Sequence, residues 1–268
     1  MRLRRRASKS IAFEAFGVAA EVQFATDDLE TPVRAILPPG WRPTDSAGAL
    51  ARFVLERTEA DSYDVTINGR SVLEHASLEV ALSLIDADVR MLIATSTTDW
   101  IFVHAGVVAV RGRTLVIPGA SFSGKTTLVR ALVELGATYY SDEFAVLDAD
   151  GMVHPYPRRL SIRSLDGSAQ AERAVAELGG ATGEERAAVD TVVLTRYRPG
   201  TDWRPQPISP GEGAVAMLAN TVPAQRRPGD SLRTVTRALR ASSVLVGDRG
   251  EAAEAASALY DRLDSGPR

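Results

Sequence analysis

The chain has 268 residues, 45% of them hydrophobic and 24% charged, and a net charge of −3. This length allows one large domain or two smaller ones with a buried core, and the small net charge gives no general attraction to nucleic acid or to an anionic membrane. The absence of cysteine excludes disulfides, thiolate zinc sites and cysteine nucleophiles, and His75, His104 and His154 are too far apart to suggest a metal-binding spacing.

Residues 1–98 predict a smaller α+β section. It opens with a strongly basic tail, residues 1–10, and no long apolar run follows that tail. We therefore expect neither a secretory signal nor a membrane span, and we expect a cytoplasmic protein. The first interpretation of this segment is a solvated tail, and the alternative is that it binds an acidic peptide partner.

Strand-forming residues and turn residues alternate after the tail. They predict strands within 11–25, a turn at 37–43 and further strand-and-turn structure over 51–66. A helix follows, because apolar residues recur at steps of 4, 3, 4 and 3 behind a serine cap at Ser77. The apolar positions of this helix are Leu78, Leu82, Ile85, Val89 and Leu92.

Residues 99–268 predict a second section that begins with strands within 99–110 and 113–119. A helix is predicted at 126–135, and Gly136 is well placed to follow its last residue. The later elements are a strand pair or one bent strand at 137–148, an extended segment at 152–163, a loop with a helical piece at 164–190, a strand at 191–197, a helix from the capping box at Ser209 to about Asn220, a helix at 232–241, a strand at 243–246 and a last helix ending at Leu263.

Residues 119–126, which we call the glycine loop, match G-x-x-x-x-G-K-[ST] at every fixed position. An apolar strand precedes the loop and a helix follows it, so successive amide N–H groups and the helix N-terminus can hold phosphates. Lys125 would reach the β- and γ-phosphates, and the Thr126 hydroxyl would bind Mg²⁺. The predicted nucleotide-binding residues are Gly119, Ala120, Ser121, Phe122, Ser123, Gly124, Lys125, Thr126 and Thr127.

Two large classes of nucleotide-binding protein lack support in the sequence. A GTPase needs an N-K-x-D segment that recognises the base, and a transporter-type ATPase needs a Leu-Ser-Gly-Gly-Gln signature; the sequence contains neither. Asp148 ends an apolar run, as a Walker B aspartate does, but it also begins a tight turn at 148–151. Because aspartate is favoured at turn starts for local hydrogen bonding, we assign Asp148 to the turn.

Asp142 and Glu143, which we call the acidic pair, follow the run Ala-Thr-Tyr-Tyr-Ser. Two neighbouring carboxylates can divide the work of phosphate transfer, because one can hold Mg²⁺ while the other accepts a proton from the attacking hydroxyl. Adjacent residues of a strand point to opposite faces, so the chain must bend here if both are to reach one phosphate. An ordinary acidic pair on a surface strand is the alternative interpretation.

The order of these motifs resembles the catalytic domain of the HPr kinase/phosphorylase family and its shorter relatives. In that family a strand with His-Gly precedes the phosphate loop, and an acidic pair follows it. Here His104 lies 15 residues before Gly119, and Asp142 lies 23 residues after Gly119. The segments YYSDEFAVLDADGMVHPYPRRLSIR and TRYRPG, followed by ISPGEGAVAMLANTV, are similar to the shorter relatives. The resemblance covers roughly residues 99–222.

The resemblance implies an α/β fold in which 99–268 form a P-loop domain on a mixed sheet, like that of HPr kinase and PEP carboxykinase. It implies an ATP- and Mg²⁺-dependent kinase that transfers the γ-phosphate to a serine hydroxyl of a protein or peptide. By the same resemblance, Asp142 would be the base that deprotonates the serine, and Glu143 would bind Mg²⁺ with Thr126. His104 would orient or assist near the transferred phosphate.

The chain departs from the family's pattern at Glu143, where a second aspartate is more usual, and at Thr127, where the HPr enzymes carry an acid. Arg163 and Arg196 are candidate contacts to phosphate or substrate, and a solvated surface role is the alternative for each. Some short relatives are associated with ribosomally made peptide pathways, which favours a peptide acceptor. A nucleotide-dependent binding or switch module and a small-molecule kinase stay open as alternatives, and so does a homo-oligomer.

Overall fold

The computed structural model describes residues 9–59, 61–120, 123–163 and 170–265. Contacts divide the chain into two units, Met1–Asp99 and Trp100–Arg268. Most of the predicted basic tail lies outside the described residues, but Lys9 and Ser10 belong to the first strand. In these described ranges no helix is both long enough and apolar enough to cross a membrane.

The first unit is a mixed sheet with one long helix. Its strands are β1 (Lys9–Ala15), β2 (Val18–Phe24), β3 (Arg42–Pro43), β4 (Ala51–Glu59), β5 (Ser62–Ile67) and β6 (Arg70–Ala76), and its helices are α1 (Glu30–Ala35) and α2 (Leu78–Ser96), with a 3₁₀ turn at Asp27–Leu29. The strand order is β3-β1-β2-β4-β5-β6. Only the central pair β2–β4 is parallel among these pairings, so the predicted strands form one antiparallel-rich layer. The pattern did not predict α1 or β6.

Helix α2 confirms the helix predicted after Ser77, whose hydroxyl accepts a hydrogen bond from the Val80 N–H at 3.3 Å. The buried stripe agrees with the prediction only at Ile85 and Val89. The apolar residues of α2 that are buried are Ala81, Ile85, Val89, Ile93 and Ala94. The predicted leucines Leu78, Leu82 and Leu92 are only half-buried. Small alanines let the helix approach the sheet closely, and the leucines then cover its margins.

The second unit holds the remaining elements. Its strands are β7 (Ile101–Val110), β8 (Arg113–Pro118), β9 (Thr138–Ser141), β10 (Phe144–Leu147), β11 (Val153–His154), β12 (Leu160–Arg163), β13 (Gln170–Arg173), β14 (Val189–Tyr197), β15 (Gln206–Ile208) and β16 (Ser243–Arg249). Its helices are α3 (Lys125–Glu134), α4 (Pro210–Ala219), α5 (Pro228–Ala238) and α6 (Ala252–Ser265), with 3₁₀ turns at Val175–Leu178 and Val222–Gln225.

The main sheet of this unit has the strand order β11-β10-β7-β8-β14-β16-β15, and β9 also pairs with β7. Strands β8, β14 and β16 run parallel, whereas β7 is antiparallel to β8, β9 and β10. Strands β12 and β13 form a separate two-stranded sheet. The mixed sheet with helices confirms the predicted α/β class.

Helices cover both faces of the main sheet. Val193 of β14 and Leu245 of β16 pack with α3 and α6, whereas the neighbouring Val192 and Val244 pack with α4 and α5. Since successive strand residues point to opposite faces, α3 and α6 lie on one side of the sheet and α4 and α5 on the other. The parallel strands are therefore buried on both sides, as their Val- and Leu-rich sequences require.

Several local signals of the second unit are confirmed. Gly136 follows the end of α3 with φ of +100°, a conformation that favours glycine. The Ser209 hydroxyl accepts from the Glu212 N–H, and the Glu212 carboxylate accepts from the Ser209 N–H, which forms the predicted capping box. The helical piece predicted within 164–190 is present as the 3₁₀ turn, but strand β13 was not predicted, and 164–169 lie outside the described residues. Helix α5 starts earlier than predicted, at Pro228.

Gly106 of β7 lies directly under α3, and a Cβ at this position would come within 2.5 Å of Val129 Cγ2. We expect Gly106→Ala to lower the free energy of unfolding by about 1–3 kcal/mol, because the added methyl group overpacks this contact. In denaturant titrations, Gly106→Ala combined with Val129→Ala should lose less stability than the sum of the single changes. Gly48→Ala is the control, because a Cβ at Gly48 meets nothing within 4 Å. Strict additivity of the two changes would contradict the contact as the cause.

Candidate functional site

The glycine loop connects the end of β8 to the start of α3. The Gly119 N–H donates to the His104 carbonyl at 3.1 Å, which anchors the start of the loop to β7. A Cβ at Gly119 would lie 2.7 Å from Ser123 Oγ, so the loop closes too tightly for a side chain there. Gly124 has φ of +84° and directly precedes α3. The loop thus brings its backbone to the positive end of a helix.

Lys125 folds back over the loop. Its Nζ donates to the carbonyls of Gly119 and Ala120, both at 2.8 Å. Burial lowers the pKa of Lys125, and the negative charges of Glu143 and Asp142 oppose this shift. The loop carbonyls therefore hold the ammonium group in place, and the negative charge of the acidic pair acts on it there.

The loop also contains an unused donor. Among the described residues, Ser123 Oγ is buried and has no hydrogen-bond partner. A buried hydroxyl without a partner is unfavourable unless a ligand or water satisfies it. Ser123 Oγ, the Lys125 ammonium and the helix N-terminus together form a donor set that fits an anionic phosphate. Ser121 and Phe122, which were also predicted to bind nucleotide, lie outside the described residues.

The acidic pair occupies a bend between β9 and β10, as the prediction required. Ser141 makes this bend, because its Oγ accepts the N–H groups of Glu143 at 3.1 Å and Phe144 at 3.0 Å. The hydroxyl replaces the strand partners that these two N–H groups would otherwise need. Asp142 and Glu143 are thereby released from the alternation of a regular strand.

Asp142 is buried against α3, with 9% of its surface exposed. Its Oδ2 accepts a hydrogen bond from Thr126 Oγ1 at 2.9 Å, and its Oδ1 accepts one from the Tyr139 hydroxyl at 2.7 Å. Burial raises the pKa of Asp142; the two hydrogen bonds oppose this shift, and the charge of Glu143 adds to it. Burial likewise raises the pKa of Tyr139, and the charge of Asp142 adds to that shift. Tyr139 therefore stays a neutral donor.

Glu143 follows Asp142 on the bend, and His104 lies on β7 opposite Phe144. Glu143 is half-buried, and its carbonyl accepts the Ala105 N–H at 3.2 Å. His104 pairs with Phe144 across β7 and β10, and their ring centroids are 4.8 Å apart. The structure thus brings His104 to the start of the glycine loop through its backbone, while its ring packs on an aromatic side chain.

Among the described side chains, no hydrogen bond or ion pair joins the predicted arginines or Thr127 to this cluster. Arg196 is exposed and its Nε pairs with Asp248 at 3.3 Å. The backbone of Arg163 ends β12 opposite Gln170, but its side chain lies outside the described residues. Thr127 is exposed on the first turn of α3. The roles predicted for these three residues stay predictions.

Sequence reasoning missed two buried residues that contact the loop or the acidic pair. Tyr139, three residues before Asp142 on β9, donates to its carboxylate. Arg249, the last residue of β16, donates from Nη2 to the Gly124 carbonyl at 3.0 Å. The available signals were a tyrosine within the run before the acidic pair and an arginine ending the apolar strand SVLVGDR.

The oxygen donors around Thr126 suit a hard cation. Within the ranges that the structure describes, no group of three or more histidine, aspartate or glutamate side chains is placed to bind a metal. Mg²⁺ at a nucleotide site uses only one or two side chains and takes its other ligands from phosphate oxygens and water. The Thr126 hydroxyl and the Asp142 carboxylate, which are hydrogen-bonded to each other, are ligands of this kind.

Comparisons with known proteins assign no family. No protein-family model matches the chain, and no curated protein matches it at a significant level. The likeness to the HPr kinase family therefore rests on the motifs and spacings of the sequence.

Asp148 is confirmed as a turn residue. Its Oδ1 accepts the N–H groups of Asp150 at 2.9 Å and Met152 at 3.0 Å. Its Oδ2 lies 2.8 Å from His154 Nε2 and 2.9 Å from Arg186 Nη1. Burial alone would raise the pKa of Asp148, but the hydrogen bonds from His154, Met152 and Arg186 together hold that pKa below its ordinary value.

We expect Asp148→Asn to lower the free energy of unfolding by about 1–2 kcal/mol near pH 7. Because the folded-state pKa is depressed, this stability is present above the unfolded pKa of about 3.9 and is lost as the pH falls through the folded value. Urea titrations at neutral pH and below about pH 3.5 should show the difference shrinking. The side chain of Asp150 is 74% exposed, so Asp150→Asn is the control with little effect. A difference that persists in acid would contradict the assignment.

Proposed function

We propose that the chain is a Mg²⁺-dependent kinase of the HPr-kinase-like P-loop type, which transfers the γ-phosphate of ATP to a serine hydroxyl of a protein or peptide. The hydrogen bond between Thr126 and Asp142 carries this proposal. It joins the hydroxyl that ends the glycine loop to the acidic pair, although 16 residues separate the two in sequence. Hydrogen-bond donors for the phosphates, ligands for Mg²⁺ and a carboxylate that can act as a base would then lie close together.

The glycine loop would hold the triphosphate. The N-terminus of α3, which directly follows Gly124, would supply backbone N–H donors for the phosphate oxygens. The Lys125 ammonium, which now bonds to two loop carbonyls, can exchange them for phosphate oxygens. A charged partner is the stronger acceptor for an ammonium, so this exchange favours the bound nucleotide.

Asp142 and Thr126 would hold Mg²⁺, whose chemistry is to neutralise charge on the phosphates. Both oxygens of Asp142 already accept hydrogen bonds, and the side chain is buried. A carboxylate in this state is poorly placed to meet an incoming hydroxyl. Tyr139 instead fixes its orientation, as a partner behind a metal-side carboxylate does.

Glu143 would then be the base. It is half-buried on the same bend, and its negative charge acts on Lys125. The serine oxygen would bond to the γ-phosphorus as the bond to the ADP oxygen breaks, and the serine proton would pass to the Glu143 carboxylate. This division of the acidic pair is the reverse of the one that the family resemblance implies. The longer side chain of glutamate suits a group that reaches outward to an acceptor.

We expect Lys125→Ala to remove phosphate transfer and to weaken ATP binding at least about tenfold, because the ammonium is the main side-chain cation of the loop. Calorimetric titration with MgATP measures the affinity. Labelled ATP with candidate acceptor peptides measures transfer as alkali-sensitive phosphoserine. Lys9→Ala is the control, since Lys9 lies on β1 in the other unit. Unchanged ATP affinity in Lys125→Ala would contradict the nucleotide site.

The two acids should give different kinetic losses. We expect Glu143→Gln to keep MgATP affinity while kcat for transfer falls by about 10²–10⁴. Asp142→Asn should raise the Mg²⁺ concentration for half-maximal rate by about 10- to 100-fold, and high Mg²⁺ should partly restore the rate. The measurement is transfer rate against Mg²⁺ concentration for each variant. Rescue of Glu143→Gln by Mg²⁺, with no rescue of Asp142→Asn, would return the roles to those implied by the resemblance.

The same assay separates the alternative functions. Bound ATP that stays intact with every acceptor would indicate a nucleotide-dependent binding module. Label found on a metabolite hydroxyl would indicate a small-molecule kinase. Label on serine of a protein or peptide supports the proposal.

A further inference from the structure

Arg249 is a buried cation that makes no salt bridge among the described residues, although the negative charge of the nearby Glu251 acts on it. Only 3% of its surface is exposed. Its Nη2 donates to the Gly124 carbonyl at 3.0 Å, and its Nη1 donates to the Gly250 carbonyl at 3.1 Å. Its Nε is buried and has no hydrogen-bond partner within the described part of the chain. Backbone carbonyls balance such a charge only in part, so the free protein bears an unfavourable group here.

The guanidinium is fixed against the N-terminal end of α3. Gly124 has the positive φ described above, and a Cβ there would collide with Arg249 Nη2. The Gly124 carbonyl also accepts the Leu128 N–H at 3.2 Å, so Arg249 is not needed to satisfy it. The contact therefore does more than complete a hydrogen bond: it sets where Gly124 and the following Lys125 stand.

Tyr197 covers the guanidinium on the solvent side. Its ring centroid lies 5.5 Å from the Arg249 guanidinium carbon, and the two residues are register partners on β14 and β16. The Tyr197 hydroxyl donates to Glu251 Oε1 at 3.0 Å, which holds the ring in place. The charge is thus shielded from water and stands beside a loop whose other features fit an anion.

We propose that Arg249 is a positioning residue of the nucleotide site, which fixes Gly124 through its carbonyl and supplies a buried positive charge that bound polyphosphate neutralises. This inference rests on the proposed nucleotide site and adds a residue from the far end of the sequence to it. The expected ligand class is a polyphosphate, either free or as part of a nucleotide. Replacing Arg249 by an uncharged residue should then weaken ligand binding without lowering the stability of the free protein.

Calorimetric titration of the full chain with magnesium tripolyphosphate and with MgATP tests the inference, alongside melting temperatures with and without each ligand. We expect Arg249→Met to bind both ligands at least about tenfold more weakly, while the ligand-free melting temperature stays the same or rises. Arg249→Lys keeps the charge but loses the fork of donors, so its affinity should be intermediate. Arg204→Met is the matched control, because Arg204 is exposed and pairs with Asp202.

Each outcome decides the matter. Wild-type affinity in Arg249→Met overturns the inference and leaves the proposed function standing. A lower ligand-free melting temperature with an unchanged ligand-induced rise assigns Arg249 a structural role only and also overturns it. If Arg249→Met does not fold, Arg249→Lys replaces it, and wild-type affinity there overturns the inference. If the wild-type chain binds neither ligand, the proposed function fails and this inference fails with it.

Discussion

The hydrogen bond from Thr126 to Asp142 connects two parts of the chain that local structure alone would keep apart. One is the helix that follows the glycine loop, and the other is the bend that Ser141 makes between β9 and β10. Antiparallel pairing of β7 with both β8 and β9 brings these parts side by side. The strand order therefore brings Asp142 close to the glycine loop, and the bend orients its carboxylate toward Thr126. Neither feature would be sufficient without the other.

The parallel strands β8, β14 and β16 explain where the rest of the site lies. Their carboxyl ends meet at one edge of the sheet, which holds the start of the glycine loop, Tyr197 and Arg249. The helix after β8 covers one face of the sheet, whereas the helix after β14 covers the other. Ligands of open α/β sheets bind at such a switch in helix direction, outside the carboxyl ends of the strands. The glycine loop occupies this position.

The sequence predicted the parts of the fold that depend on local chemistry. Fixed positions of the glycine loop, the Ser77 cap and the capping box at Ser209 each have a short-range cause, and each appears where expected. The buried face of α2 was predicted only in part: Ile85 and Val89 are buried as expected, but alanines are buried where the pattern favoured leucines. Arg249 could not be assigned because its partner Gly124 lies 125 residues away. Tyr139 is only three residues from Asp142, but residues three apart on a regular strand point to opposite faces, so only the bend brings them together. The spacing of the acidic pair was readable, but the state of each acid depends on burial, which only the packed structure provides.

Burial distinguishes this site from the ordinary ion pairs of the same chain. The pKa of Asp148 is lowered because hydrogen bonds from His154, the Met152 N–H and Arg186 outweigh its burial, as in a structural network. Around the glycine loop the sense is opposite, since burial raises the pKa of Asp142 and lowers those of Lys125 and Arg249. For each of these groups, burial makes the charged form less stable than it is in water. Groups shifted in this way cluster at ligand sites more often than elsewhere, and the proposed Mg²⁺ and polyphosphate would supply charges of both signs.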